Sequence, residues 1–90
     1  METKEEEIML ILQEECAEVT QAISKCFRFG VDNFKPGKPK TNREHLAEEL
    51  GDLQAMIDLC IKFNIVGSEQ ISIAADNKIA KLKKWSSIYE

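Results

Sequence analysis

Thr41-Asn42-Arg43-Glu44-His45-Leu46-Ala47-Glu48-Glu49-Leu50-Gly51-Asp52-Leu53 decides how this chain is read. It opens with Thr-x-x-Glu, the capping-box form that starts a helix, and the helix should begin near residue 42. Asn42 stands between two roles there, a cap and a contact to a nucleobase, and the local sequence favours the cap. An apolar stripe follows at three- and four-residue spacing: Leu46, Leu50, Leu53, Met56, Ile57, Cys60 and Ile61. Asn64 and Gly67 supply stop signals. At about 100° per residue, Glu49 falls inside this stripe, between Met56 and Leu53. Asp52 falls at its edge and Glu48 points further out. A carboxylate inside an apolar stripe costs free energy unless a cation or hydrogen-bond donors compensate it.

The same form, Glu-Glu-x-x-acid, occurs earlier as Glu14-Glu15-Cys16-Ala17-Glu18. It lies in a segment from about residue 5 to 28 whose helical stripe is Ile8, Ile11, Leu12, Val19, Ala22, Ile23 and Cys26. Glu5 to Glu7 suit the positive end of that helix, and Gly30 is its stop. Glu15 projects inside the stripe, between Ala22 and Ile8. Glu18 stands at the edge and Glu14 further out. Two i,i+3 pairs thus flank two apolar faces. Packed antiparallel, they bring four carboxylates to one pocket. Hard oxygen donors of this kind suit Mg²⁺ or Mn²⁺. The plain alternative is a solvated acidic face. It fits poorly with the inward phase of Glu15 and Glu49 and with the repetition. A di-iron carboxylate bundle needs Glu-x-x-His on two helices, and the one histidine, His45, has no glutamate at that spacing. His45 reads as a surface or cap residue of the first turn.

Outward from these helices, residues 31–40 hold Lys35-Pro36-Gly37-Lys38-Pro39-Lys40 and read as a loop, whose Lys35, Lys38 and Lys40 beside an acidic site either cover a triphosphate or belong to a plain soluble connector, the reading favoured. Ser68 is the expected N-cap of a third helix carrying Ile71, Ala74, Ala75, Ile79, Leu82 and Trp85, although Ile71 and Ile73 alternate as in a strand. Phe27, Phe29, Phe34 and Trp85 fit core or interface positions better than stacking on a base. Ninety residues make one small domain, 1–90, whose own core is marginal, so association is expected. The net charge of −4, with 16 acidic and 12 basic residues, argues against a nucleic-acid-binding surface. No apolar run reaches the roughly 20 residues of a membrane span. Met1 to Glu7 is not a secretory signal. Cys16, Cys26 and Cys60 form neither a disulfide framework nor a zinc motif and read as small buried hydrophobes in a reducing cytoplasm.

Glu15-x-x-Glu18, about thirty residues and then Glu49-x-x-Asp52 resembles the ExxE…ExxD signature of the all-α nucleoside triphosphate pyrophosphohydrolases, which include MazG-like proteins, dimeric dUTPases and dCTP pyrophosphatases. Glu14 to Val19, Ser24 to Gly30, Thr41 to Glu44, Glu48 to Leu53 and Lys78-Ile79-Ala80-Lys81 carry the likeness. It is nearest to small MazG-like proteins of phage and bacteria. The resemblance implies hydrolysis of a nucleoside triphosphate to monophosphate and pyrophosphate, for nucleotide-pool control or housecleaning, in the cytoplasm (that of the host for a phage protein). It implies Mg²⁺, with Mn²⁺ as substitute, on Glu15, Glu18, Glu49 and Asp52, and Glu14 and Glu15 as catalytic carboxylates. Lys78 and Lys81 become phosphate ligands and Asn77 a contact to sugar or base. Lys25 and Arg28 either bind phosphate or complement the C-terminal end of their helix. Longer relatives often carry a helix before the first acidic motif. The expected architecture is therefore an all-α, three-helix chain that completes a four-helix-bundle-like assembly as a homo-oligomer, dimer or tetramer. Two other functions fit the same residues: a non-catalytic helical interaction or regulatory module, and a phosphohydrolase of another nucleotide diphosphate.

Overall fold

The computed structural model describes residues 3–34 and 36–90; Met1, Glu2 and the loop lysine Lys35 lie outside the described residues. Three helices follow in order: α1 (Lys4–Phe29), α2 (Asn42–Lys62) and α3 (Ser68–Trp85). The fold is all-α, as the spacing of apolar residues implies.

Local chemistry explains each boundary. Thr3 caps α1, its side chain accepting from the Glu6 N–H at 3.0 Å. The helix ends at Gly30, whose N–H bonds the Cys26 carbonyl at φ 92°, a conformation that favours glycine. A Cβ there would also stand 2.8 Å from the Asn33 amide. In α2 the cap is Thr41: its hydroxyl accepts from the Glu44 N–H, and Glu44 returns a carboxylate oxygen to the Thr41 N–H, both at 3.1 Å. The end of α2 is a Schellman turn built on Asn64 at φ 58°. The Asn64 N–H reaches the Ile61 carbonyl and the Ile65 N–H the Cys60 carbonyl. For α3 the cap is Gly67, not Ser68. Gly67 takes an extended backbone, Gln70 reaches back to its N–H at 3.0 Å, and Ser68 becomes the first helical residue. Ile71 and Ile73 are helical, because this cap and the stripe that follows outweigh their local alternation.

Among the described residues, packing between helices is almost entirely α1 against α2. The two run antiparallel. Ile8 near the start of α1 meets Met56 and Cys60 near the end of α2, with Ile11, Leu12, Leu59 and Ile65 around them. Val19 and Ala22 are buried further along α1. No residue of α3 is buried. Only its beginning touches the hairpin, where Ile71 joins Met9, Leu12, Ile57, Cys60, Ile65 and Val66 around an apolar groove.

Some sequence expectations are corrected here. Phe27, Phe29, Phe34 and Trp85 are not in the core of the chain but exposed, Phe27 at 87%, which leaves interface as the position of the two expected. Of the cysteines only Cys60 is buried, Cys26 is half-buried and Cys16 faces outward. Asn42 does not cap α2. It is 3% exposed and staples the two helices together, because its side-chain amide donates to the Gly30 carbonyl at 2.9 Å and its N–H to the Asn33 carbonyl at 2.9 Å. The adjacent Arg43 grips Asp32 through Nε at 3.0 Å and Nη2 at 3.4 Å. The loop between α1 and α2 is therefore folded back on the first turn of α2 rather than a free connector. Among the described residues no helix is long and apolar enough to cross a membrane.

Candidate metal centre

The antiparallel hairpin sets the second acidic motif against the first. Glu15, Glu49 and Asp52 each bring one carboxylate oxygen into a group whose members all lie within 4.8 Å of one another. Their depths follow helical phase. Glu15 and Glu49, which intrude into the apolar stripes, are half-buried, while Asp52 at the stripe edge is exposed. Glu18, also at an edge, is exposed and lies outside this group of three. Glu14 and Glu48 are exposed as well.

The electrostatics follow from this convergence. Partial burial, and then the charges of Asp52, Glu49, Glu18 and Glu14 in that order, hold the Glu15 carboxyl above its ordinary value of 4.5. Among the described residues no lysine or arginine forms an ion pair with Glu15, Glu49 or Asp52. The nearest basic group is His45, half-buried, with Nε2 3.9 Å from Glu49 Oε1. Folding thus gathers like charges and leaves them uncompensated. Three hard oxygen donors with that deficit fit a divalent cation of the magnesium or manganese class.

The expected phosphate-binding residues are placed unevenly. Lys25 stands half-buried near the end of α1, in the wall of a cleft of about 360 Å³ shared with Lys38, Pro39, Lys40, Asn42, His45 and Glu48. Arg28 is exposed, 5.0 Å from the centre of the Phe29 ring. Asn77, Lys78 and Lys81 are exposed on α3, which does not pack on the carboxylate face of its own chain. Sequence reading did not find the cleft. The lysine-rich loop and the buried Asn42 were its signals, but periodicity says nothing about where a loop folds back.

No curated protein and no solved structure gives a significant match to this chain. A family of helical nucleotide hydrolases does match it, over residues 3–85, a span that holds all three helices and both acidic motifs. With two antiparallel helices presenting paired acids to each other, the chain belongs to the MazG nucleotide pyrophosphohydrolase domain family.

Proposed function

We propose that the chain hydrolyses a nucleoside triphosphate to the monophosphate and pyrophosphate, with Mg²⁺ or Mn²⁺ held by Glu15, Glu49 and Asp52 and with Glu18 as a further ligand. The observation that carries this reading is the convergence of three uncompensated carboxylates in a chain of this family. When bound, the metal neutralises phosphate oxygens and makes water a stronger nucleophile near neutral pH. The remaining work falls to the chain. Glu15 and Glu49 orient the centre from rigid helix positions. Glu14, beside Glu15 on the outward flank, accepts the proton of the attacking water. Water adds at phosphorus, the bond to the bridging oxygen breaks, and pyrophosphate leaves. Lys25 meets phosphate oxygens from the end of α1.

Asn77, Lys78 and Lys81 act, in this reading, from a neighbouring copy. The chain exposes 7031 Å², whereas a compact protein of 10.2 kDa exposes about 5,300 Å². The excess on one chain, on the order of 1,700 Å², is about twice the roughly 800 Å² that each partner buries in a standard interface. Its apolar part is spread over α1, where Met9, Leu10, Ile23, Phe27 and Phe29 are exposed, and over α3, where Ile73, Ile79 and Trp85 are 53%, 40% and 77% exposed. Covering the α3 face with a second copy sets the basic groups of α3 beside a neighbour's carboxylates.

The test is a panel of ribo- and deoxynucleoside triphosphates with Mg²⁺ or Mn²⁺, with products identified. Pyrophosphate and monophosphate from at least one of them supports the proposal. Orthophosphate alone, or no product together with no thermal shift on adding Mg²⁺, overturns it and favours a non-catalytic helical module.

A further inference from the structure

The carboxylate face does not end at Glu49. One turn towards the loop, His45 stands 3.9 Å from Glu49 and also forms a wall of the 360 Å³ cleft. The sign of the charge reverses there. Lys25, Lys38 and Lys40 surround the opening against one carboxylate, Glu48, in a chain whose net charge is −4. The start of α2 is not the source of this positive field. Its first three N–H groups already bond the Asn33 carbonyl, the Val31 carbonyl and the Thr41 hydroxyl. The lysines supply it, and one of them is occupied: Lys40 is paired with Glu48. Both partners of that pair are about half exposed, so the contact is weak and readily exchanged. The floor is rigid, because Asn42 is buried and tied to Gly30.

We propose that this cleft is a second anion subsite, holding the two terminal phosphates of the substrate and then the pyrophosphate product, with Glu48 as a placeholder that surrenders Lys40 when phosphate arrives. The inference rests on the reading of Glu15, Glu49 and Asp52 as the metal centre, since that centre sets the reacting phosphate next to the cleft. The nucleoside end of a nucleotide carries no charge and gains nothing from three ammonium groups, whereas the terminal phosphates carry most of the negative charge. Lys25, Lys38 and Lys40 therefore bind directly what the carboxylates bind only through a cation. This makes Glu48 a residue of the site, rather than the merely solvated acid its outward phase suggests.

The experiment is calorimetric titration of the full-length chain with inorganic pyrophosphate in EDTA, so that no divalent ion contributes, with orthophosphate and a nucleoside as comparators. Pyrophosphate is expected to bind, to weaken as salt is raised, and to bind more tightly than either comparator. The double variant Lys38→Ala/Lys40→Ala should weaken it by about tenfold or more. Glu48→Gln should tighten it severalfold, an effect that a purely structural salt bridge would not produce. No binding by the parent chain, indifference to both variants, or a nucleoside that outcompetes pyrophosphate overturns the proposal. The catalytic reading is separated by Glu15→Gln, which should leave metal-free pyrophosphate binding undiminished. Pyrophosphate binding without turnover of any triphosphate keeps the subsite and removes the metal-centre reading on which its role in catalysis rests. Turnover without pyrophosphate binding does the reverse.

Discussion

The α1–α2 hairpin and α3 are written in the same sequence code and have opposite fates. Each helix carries an apolar stripe. In the hairpin the stripes meet, bury Ile8, Val19, Ala22, Met56 and Cys60, and pull Glu15 and Glu49 partly out of water. In α3 the stripe buries no residue, and only Ile71 of its first turn joins the apolar groove against the hairpin. Amphipathic periodicity thus says that a face will be covered but not by what. The hairpin buries part of its two stripes and builds the charged site, although Ile23, Phe27 and Leu50 stay exposed, while α3 is held out with its apolar residues and its lysines unspent.

The largest expected effect separates the two regions by activity. Glu15→Gln or Asp52→Asn should lower kcat/KM for the best triphosphate by at least about 100-fold, with helicity and oligomer size unchanged. Lys78→Ala on α3 should cost about tenfold. Equal losses at both sites, or loss of helicity in the acid variants, would break the division into a reacting region and a supporting one. Stability comes next. Met56→Ala removes a core side chain and should cost roughly 2–4 kcal/mol in denaturant unfolding at any protein concentration. In the proposed assembly Ile79→Ala should instead lower the midpoint by an amount that depends on protein concentration. A concentration-independent loss at Ile79 would show that α3 packs within its own chain. The caps give a smaller contrast. Thr41→Ala deletes a reciprocal cap and should cost about 1 kcal/mol, whereas Gly67→Ser at the start of α3, where the cap residue has no side chain to bond the first turn, should change stability by about 0.5 kcal/mol or less.

The smallest effect is pH-dependent and lies within the hairpin. Ionised Glu15 works against the fold, because its carboxyl sits above 4.5. That burden is present above its raised value and is relieved as pH falls towards 4.5. Asp32, held low by the hydrogen bonds and charge of Arg43, and Glu44, held low by the Thr41 backbone and hydroxyl, act in the opposite sense. Their contribution is present above their ordinary values of 3.8 and 4.5 and is lost as pH drops through their lowered ones. Thermal melts should therefore show a modest gain on mild acidification and a loss below it. The gain should vanish in Glu15→Gln. It should also shrink with Mg²⁺ present at neutral pH, since a cation removes the same repulsion.

Most of the hairpin was legible from residue types alone. Helical phase separated inward Glu15 and Glu49 from edge and outward acids, and the capping box located the start of α2 within a residue. What escaped was non-periodic. Asn42 reads as a cap because capping is a local, three-residue pattern, while its real partner, the Gly30 carbonyl, lies twelve residues away across the loop. The basic cleft escaped for the same reason, since Lys25 and Lys40 become neighbours only after the chain reverses. For Phe27 and Trp85 the choice between core and interface escaped, because periodicity marks apolar residues without saying whether the surface opposite belongs to the same molecule.

The molecule measures 40 × 39 × 14 Å. It is flat along one axis, with a hairpin core of a few side chains and an α3 that has no buried residue, whereas stable domains stack at least two full layers. In the assembly proposed above, the second layer is a second copy of the chain rather than another stretch of it. Output would then climb faster than linearly with expression at low copy number, so that a nucleotide-clearing activity switches on over a narrow range of synthesis rates. Flatness of the protomer would thus become a dosage threshold in the cell.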